Sequence, residues 1–322
     1  MRIVFFGSPD FAVSGLRVLL EADDMEVLLV ISQPDRLRNR NKLSPTPVKA
    51  MALDHHIPVL TPEKVNQKEI LEKIQEVDPD ILVVIAYGQI IGKSLRDAFP
   101  DHILNIHGSL LPKYRGAAPI QRALLNGEEK TGVSAMLIRK EMDAGEILAK
   151  KEVPIEEDDD LESLSQKMAE AGGQLLLETL RSYDRLLLGK KTQNPDEVTF
   201  ADKIQKEEGW LDFRQTARAL VNQVRTLKDW PGAKFILDGK TYKVHGAHRE
   251  REDEGNRKEK PGTVLRADSR GLAVKTGDGL FVIDRIQPTN KKAMDIGAFI
   301  NGYSIPIGSR LESFTGGEED HA

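Results

Sequence analysis

The sequence predicts an α/β protein in two parts: a doubly wound parallel sheet covered by helices, and a small β-barrel after it. In the first half of the 322-residue chain, short apolar runs alternate with helical segments. One run, Ile81–Ala86, is apolar throughout, which indicates a strand buried on both faces. A polar stretch, Gly189–Glu208, then ends this alternation. Beyond it, short apolar runs divided by glycines are typical of a barrel.

Alternating strands and helices make up the first part, which is assigned to residues 1–189. Because helices separate the strands, the sheet is expected to be parallel. The acidic turn Glu156–Asp160 suits the positive end of the long helix that follows, in which apolar residues recur at helical spacing from Leu161 to Leu175. The predicted strands are Ile3–Phe6, Val27–Ile31, Ile81–Ala86, Ile103–Ile106, Gly132–Ile138 and Glu146–Val153. The other predicted helices are Phe11–Leu20, Val48–His56, Gln67–Val77 and Ala117–Asn126.

The second part is assigned to residues 209–322, and the polar residues 190–208 before it are interpreted as a linker. One helix, Thr216–Leu227, comes first, and a charged run, Arg249–Lys260, is expected to be a surface loop. The predicted strands are Lys234–Leu237, Tyr242–His245, Gly262–Leu265, Leu272–Lys275 and Leu280–Ile286.

Composition excludes several classes of site. The chain has no cysteine, so disulfides, thiolate nucleophiles and cysteine-based metal sites are absent. No segment approaches the roughly 20 apolar residues of a membrane span. The apolar run at the start of the given sequence is too short for the core of a signal peptide. We therefore expect a cytoplasmic protein without a membrane partner. The oligomeric state is not fixed by the sequence, although a monomer is favoured.

Charge is distributed unevenly along the chain. Residues 1–208 contain 27 Lys and Arg against 35 Asp and Glu, whereas residues 209–322 contain 19 against 16. An acidic part joined to a basic part is expected of a protein that contacts RNA. Ordinary variation in surface charge produces a similar split, so this observation alone decides nothing.

The turn after the first strand resembles a phosphate-binding loop only in position. Gly7 lies between a strand and a helix, but the next glycine is Gly15, so the G-x-G-x-x-G pattern of dinucleotide-binding folds is missing. A nicotinamide enzyme is therefore disfavoured, and a tight strand-to-helix turn is the simpler interpretation.

Two polar residues lie at the end of the strand near residue 105. Asn105 and His107 are two positions apart, so their side chains leave the same face of the strand. Ligands of open α/β sheets bind outside the carboxyl ends of strands. An amide beside an imidazole can donate hydrogen bonds to a developing oxyanion. The structural alternative is that Asn105 satisfies a loop and His107 is an ordinary polar strand end.

A carboxylate follows the next strand in Asp143-Ala144-Gly145. Asp and Gly favour turns, so a turn is one interpretation. The other is that Asp143 orients His107 and accepts protons from an attacking amine.

Together these residues lie in a stretch that resembles the catalytic core of the folate-dependent formyltransferases. It reads NIHGSLLPKYRGAAPIQRALLNGEEKTGVSAMLIRKEMDAGEIL and keeps the Asn–His–Asp spacing of that family. The segments RIVFFGSPDFAV, AYGQI, RGAAPIQRAL and VRTLKDWPGAKF are further similar to the methionyl-tRNA formyltransferases, and the similarity spans nearly the whole chain. It implies a Rossmann-like catalytic domain and an OB-like C-terminal barrel that binds tRNA.

The resemblance also implies an activity. The formyl group of 10-formyltetrahydrofolate, a cosubstrate, would pass to the amino group of initiator methionyl-tRNA, giving the formylated form used in translation initiation, with no metal. Asn105 and His107 would polarise the formyl oxygen, while Asp143 would fix the imidazole and assist proton removal. The folate-contacting residues implied are Ser109, Leu110, Leu111, Pro112, Tyr87, Gly88, Gln89 and Ile90.

A basic run after the second strand is the implied grip on the acceptor arm of the transfer RNA. It departs from the family pattern because it lacks that pattern's proline and glycines, although the charges remain. A solvated charged loop is the alternative. The tRNA-binding residues implied are Arg36, Arg38, Arg40 and Lys42.

Four other functions compete with this one. A glycinamide ribonucleotide formyltransferase is disfavoured by the long second part, and an amino-sugar nucleotide formyltransferase by RGAAPIQ and the basic run. A folate-dependent hydrolase that releases formate uses a similar core, and an assay with water as acceptor separates it. A non-catalytic RNA-binding protein is disfavoured by the intact Asn105, His107 and Asp143.

Overall fold

A computed structural model describes residues 1–38, 42–251 and 258–313, and the chain divides into two compact units. The first unit consists of Met1–Ile120, Glu129–Glu157 and Glu162–Asp202. The second consists of Gln121–Glu128, Asp158–Leu161 and Lys203–Ala322.

Strands and helices alternate along the first part of the chain, as the sequence predicts. The elements in order are β1 (Arg2–Gly7), α1 (Asp10–Leu20), β2 (Glu26–Ile31), β3 (Arg36–Arg38), β4 (Lys42–Ser44), α2 (Pro47–Asp54), β5 (Val59–Leu60), α3 (Lys68–Glu76), β6 (Ile81–Ile85), α4 (Lys93–Ala98), β7 (Ile103–His107), α5 (Pro119–Leu125), β8 (Lys130–Leu137), β9 (Ile147–Pro154), α6 (Leu161–Arg181) and α7 (Tyr183–Leu188).

Seven of these strands form one sheet in the order β5-β2-β1-β6-β7-β8-β9. The central strand β6 is buried at all five positions, as its continuous apolar sequence predicts. Burial of both faces requires cover on both sides, which the helices supply. The α/β, Rossmann-like fold class is confirmed.

The expectation of an entirely parallel sheet is wrong at one edge. Strands β5, β2, β1, β6 and β7 are parallel, but β8 is antiparallel to both β7 and β9. Only the short segment 138–146 joins β8 to β9. A parallel pair needs a crossover of a dozen or more residues, so this connection permits only an antiparallel pair.

The segment interpreted as a linker packs largely with the first unit. Residues through Asp202 belong to that unit, and Gln193 and Ala201 are buried. Its regular structure is limited to two short 3₁₀ helices, Pro195–Glu197 and Lys206–Gly209. The domain limits drawn from the sequence remain a prediction.

The second unit contains an antiparallel sheet with the strand order β10-β11-β14-β13-β12, and β15 pairs with β14. Its elements in order are α8 (Ala217–Leu227), β10 (Ala233–Leu237), β11 (Lys240–Glu250), β12 (Val264–Asp268), β13 (Gly271–Lys275), β14 (Leu280–Pro288), β15 (Met294–Asp295) and α9 (Ile296–Gly302). The predicted surface loop therefore begins later than expected, because β11 continues through Glu250. Part of that loop, 252–257, lies outside the described residues.

The ends of this sheet are brought together by residues 308–312. The N–H of Ile236 in β10 donates to the carbonyl of Glu312, and the N–H of Val264 in β12 donates to the carbonyl of Ser309, each at 2.8 Å. Since one segment pairs with both edge strands, the sheet acquires the barrel-like form that the sequence predicts. A C-terminal antiparallel sheet domain is therefore confirmed, and its form is consistent with the OB-like barrel.

An ionic cluster lies on the outer surface of this sheet. His248 faces Asp284 at 3.0 Å and Glu250 at 3.3 Å, and Glu250 also binds Arg266 at 2.8 Å. Burial by itself would lower the pKa of His248, but the two carboxylates raise it above its ordinary value. The hydrogen bond from Arg266 is the main cause that lowers the pKa of Glu250 to about 2.

Two absences apply to the part of the chain that the structure describes. None of its helices combines the length and apolar character that crossing a membrane requires. Likewise, no group of three or more His, Asp or Glu in those residues is arranged to hold a metal ion.

Candidate active site

The carboxyl end of β7 carries two of the predicted catalytic residues. Asn105 is half-buried, and His107 is only 7% exposed. Because β7 lies between β6 and β8, its end is a position where loops from neighbouring strands can converge. Within the described residues, the side-chain amide of Asn105 makes no hydrogen bond. It is therefore available to a substrate.

The imidazole of His107 is fixed by the main chain. Its Nε2 lies 3.0 Å from the carbonyl oxygen of Tyr114. A carbonyl only accepts hydrogen bonds, so Nε2 carries the proton. The other nitrogen, Nδ1, then faces the carboxylate of Asp143, whose Oδ1 lies 3.7 Å away.

Asp143 reaches this position because the loop between β8 and β9 folds back toward β7. Its Oδ2 accepts a hydrogen bond from the N–H of Gly116 at 2.9 Å. The backbone of Asp143 has φ +52°, a left-handed conformation that Asp tolerates better than most residues. An ion pair between Arg139 and Glu146, 2.8 Å apart, closes the neck of the same loop.

The arrangement thus brings Asn105, His107 and Asp143 to one place, but the ring is held differently from the sequence-based expectation. At 3.7 Å, Asp143 is too far from His107 for a hydrogen bond. The Tyr114 carbonyl orients the imidazole, and the Gly116 N–H orients the carboxylate. Both are backbone groups, so no residue type in the sequence signals them.

The predicted folate-contacting residues occupy two loops at the same edge of the sheet. In the loop after β7, Ser109 and Leu111 are fully buried, Pro112 is buried and Leu110 is half-buried. The hydroxyl of Ser134 in β8 donates to the carbonyl of Ser109 at 2.7 Å and accepts from the N–H of Leu111 at 3.0 Å. Ser134, which the sequence analysis did not identify, therefore holds the backbone of this loop.

The loop after β6 presents a different surface. Tyr87 is buried, and this burial raises the pKa of its phenol. Gly88 is exposed, and so is Ile90, at 73%. The side chain of Gln89 is occupied within the protein, since it accepts from the N–H of Val65 at 2.9 Å. A ligand here would meet the side chain of Ile90 and the backbone of the loop.

The predicted tRNA-binding run forms a two-stranded antiparallel ribbon, β3 and β4, in which Arg38 is paired with Lys42 and Arg36 with Ser44. Arg40 lies outside the described residues. At the base of this ribbon, the ammonium of Lys49 lies 2.8 Å from the carboxylate of Asp35. The negative charge of Asp35, which precedes the basic run, is therefore neutralised by Lys49.

Comparison with known proteins shows which family the chain matches. Residues 1–180 match the family described as "Formyl transferase", and residues 203–304 match "Formyl transferase, C-terminal domain". The chain is 44% identical over 315 residues to the methionyl-tRNA formyltransferase of a Sulfurihydrogenibium species, covering 97% of this chain and all of that one. It is 40% identical to the methionyl-tRNA formyltransferase of Finegoldia magna, covering 95% of this chain and 98% of that one.

Solved structures are similar in fold at lower identity. An N-formyltransferase from Helicobacter canadensis, solved with folinic acid and dTDP-3-aminofucose, is 20% identical with a TM-score of 0.63, covering 87% of this chain and 97% of that chain. HypX from Aquifex aeolicus, solved with tetrahydrofolic acid, is also 20% identical, with a TM-score of 0.59, covering 94% of this chain and 48% of that one.

Proposed function

Because the chain belongs to the methionyl-tRNA formyltransferase family, we propose that it transfers the formyl group of 10-formyltetrahydrofolate to the amino group of initiator methionyl-tRNA. The observation that carries this proposal at the level of residues is the convergence of Asn105, His107 and Asp143 at the carboxyl end of β7. Such a site combines two hydrogen-bond donors for an oxyanion, Asn105 and His107, with a carboxylate, Asp143, that can accept a proton.

The reaction requires a proton acceptor and oxyanion donors. When the amine nitrogen attacks the formyl carbon, the π electrons of the C=O bond move onto oxygen. The amide of Asn105 donates to this oxyanion. His107 donates beside it when Nδ1 carries a proton in addition to the one on Nε2, and the nearby Asp143 carboxylate would stabilise the positive charge that this second proton creates. Asp143 accepts the proton that the amine releases. When the C=O bond forms again, the bond to the folate nitrogen breaks, and that nitrogen takes up the proton that Asp143 accepted, which regenerates the carboxylate.

The folate is proposed to lie against the loops after β6 and β7. Exposed Ile90 offers an apolar contact for the flat pterin ring. Gly88 has φ +91° and no side chain, so a ligand can approach its backbone closely. Ser109, Leu111 and Tyr87 are buried, so we assign them the role of supporting this surface.

The transfer RNA is proposed to be held by the ribbon of β3 and β4 and by the second unit. In that unit an open cavity is lined by three arginines, Arg218, Arg249 and Arg251, with Glu250 and Asp278. Its wall includes Ala217, the first residue of α8, where the positive end of the helix dipole adds to the arginine charge. Phosphates of a nucleic acid suit such a surface.

A second group of cations in this unit supports the same assignment. Burial and the neighbouring charges of Lys206 and Lys243 lower the pKa of Lys234. Lys234 also lies over the ring of Trp210, 4.3 Å from its centroid. Like charges held together in this way are stabilised by an anion such as phosphate.

The assay that tests the proposed function offers the protein 10-formyltetrahydrofolate with three acceptors in parallel: methionyl-tRNA, glycinamide ribonucleotide and water. We expect formyl transfer to methionyl-tRNA alone. Transfer to the ribonucleotide, or formate release without an amine, would replace the proposed substrate. Because this acceptor is used by the ribosome at initiation, we also propose that the protein acts in the cytoplasm. We further propose that it acts as a monomer, since one chain supplies Asn105, His107 and Asp143 together.

A further inference from the structure

The segment between α7 and the second unit contacts both loops of the candidate active site. Lys191 and Ile147, at the start of β9, exchange two backbone hydrogen bonds of 2.9 Å. Farther along, the N–H of Arg115 donates to the carbonyl of Thr199 at 2.9 Å, and the N–H of Ala201 donates to the carbonyl of Arg115 at 2.7 Å. One stretch of chain therefore runs beside both the loop after β7 and the loop that carries Asp143.

Gln193 joins the two loops through its side chain. Its Nε2 donates to the carbonyl oxygens of Asp143 and Gly145, each at 2.8 Å. Its Oε1 accepts from the Nε of Arg115 at 3.0 Å and from Nη2 of the same residue at 2.8 Å. The residue is only 6% exposed. Both hydrogens and both acceptor sites of the amide are thus used within the protein.

These contacts constrain Asp143 from a second direction. Its carboxylate is already bound by the N–H of Gly116, the residue after Arg115. Its main-chain carbonyl is bound by Gln193, which is in turn bound by Arg115. Two adjacent residues of the loop after β7 therefore fix the backbone and the side chain of Asp143. The backbone of Asp143 is in the left-handed conformation, at φ +52°, and these hydrogen bonds help to hold it there.

We propose that Gln193 is a positioning residue for formyl transfer, which acts by holding the carboxylate of Asp143 opposite His107. This inference rests on the proposed role of Asp143. Among the described residues, the side-chain hydrogen bonds of Gln193 reach one predicted site residue, Asp143, so its proposed effect on the reaction passes through Asp143. The donors of its amide are the groups that matter, because two buried carbonyl oxygens depend on them.

The test is a double-mutant cycle in the full-length protein, with kcat and both KM values measured under single-turnover and steady-state conditions. Gln193→Met keeps the length of the side chain and removes all four hydrogen bonds. We expect kcat to fall about 10- to 100-fold, because displacements near 1 Å cost about 100-fold, and the KM for folate to change little. In an Asp143→Asn background the same substitution should lower kcat less than about threefold, because coupled residues are non-additive.

Two further variants separate positioning from general packing. Gln193→Glu keeps an acceptor for Arg115 but places a carboxylate against two carbonyl oxygens, which repel it. Its kcat should therefore fall as much as that of Gln193→Met. It also supplies the cycle if the Met variant does not fold. Gln166→Met makes the same change at an exposed glutamine of α6, whose amide donates to Glu170 at 3.3 Å, and should leave kcat unchanged.

The outcomes distinguish this inference from the proposed site. If Asp143→Asn lowers kcat strongly while Gln193→Met and Gln193→Glu keep wild-type kcat, Gln193 has no positioning role and the proposed site stands. An equal loss in both backgrounds assigns Gln193 a general structural role and overturns the inference. If Asp143→Asn itself keeps wild-type kcat, the assignment of Asp143 and the inference fall together.

Discussion

The loop that carries Asp143 depends on a glycine, and Gly145→Ala is the substitution whose effect the structure specifies most closely. A Cβ at this position would lie 1.7 Å from the carbonyl oxygen of Leu137 in β8, whereas Cβ atoms essentially never come closer than 3.0 Å to such an atom. The obstacle is backbone within a sheet, so the loop has to move away by the difference, about 1.3 Å.

A shift of this size reaches the chemistry directly. Asp143 is two residues away, and the carbonyl of Gly145 is one of the two oxygens bound by Gln193. Since misplacement by about 1 Å can cost about 100-fold in rate, we expect Gly145→Ala to lower kcat by about 100-fold or more. The affinity for folate should change little, because the loops after β6 and β7 are not displaced.

The measurement is single-turnover formylation of methionyl-tRNA, beside a separate folate titration and a thermal unfolding curve. Gly302→Ala is the matched control, because a Cβ at Gly302 has nothing within 4 Å, and it should keep wild-type kcat. A Gly145→Ala protein that is folded and turns over within about threefold of wild type would refute the reasoning, since the position of Asp143 would then not limit the rate.

Three further outcomes are expected. His107→Ala should lower kcat by roughly 10²–10³-fold, by analogy with other oxyanion donors; near wild-type turnover would exclude the ring from the reaction. Changing Arg38, Arg40 and Lys42 together to Ala should weaken the use of methionyl-tRNA and flatten the dependence of log(kcat/KM) on log salt by about 0.7 per lost phosphate contact, while an unchanged slope would make the ribbon a solvated surface. His248→Gln should lower Tm, measured by circular dichroism, at pH 6 but not at pH 9. The pKa of His248 is raised in the folded protein, so its charged form stabilises the fold below the ordinary pKa of 6.5, and this contribution is lost as the pH rises through the raised pKa. An equal loss of Tm at both pH values would contradict this.

The fold follows from the sequence wherever local pattern decides it. Of the predicted apolar run Ile81–Ala86, the five residues that form β6 are all buried, while Ala86 is exposed beyond the strand end. Asn105 and His107 emerge together because alternate residues of a strand share a face. The antiparallel pairing of β8 with β9 was also decided locally, by the short connection between them. The antiparallel pairing of β7 with β8 was not, because the segment between these strands contains α5 and is long enough for a parallel crossover. In contrast, α9 and the two-residue strand β5 lack a local signal strong enough to predict them.

The sequence predicted which side chains compose the candidate site, and their catalytic roles remain a prediction. What the tertiary structure alone decided is how those side chains are held. The imidazole is oriented by the carbonyl of Tyr114 and the carboxylate by the N–H of Gly116, groups that every residue type possesses. Gln193 is an unremarkable glutamine in a polar segment until folding places it between two loops. Periodicity and motifs report patterns of residue types along the chain. These contacts instead use backbone groups, as at Tyr114, or join distant residues, as Gly116 with Asp143, so only packing brings them together.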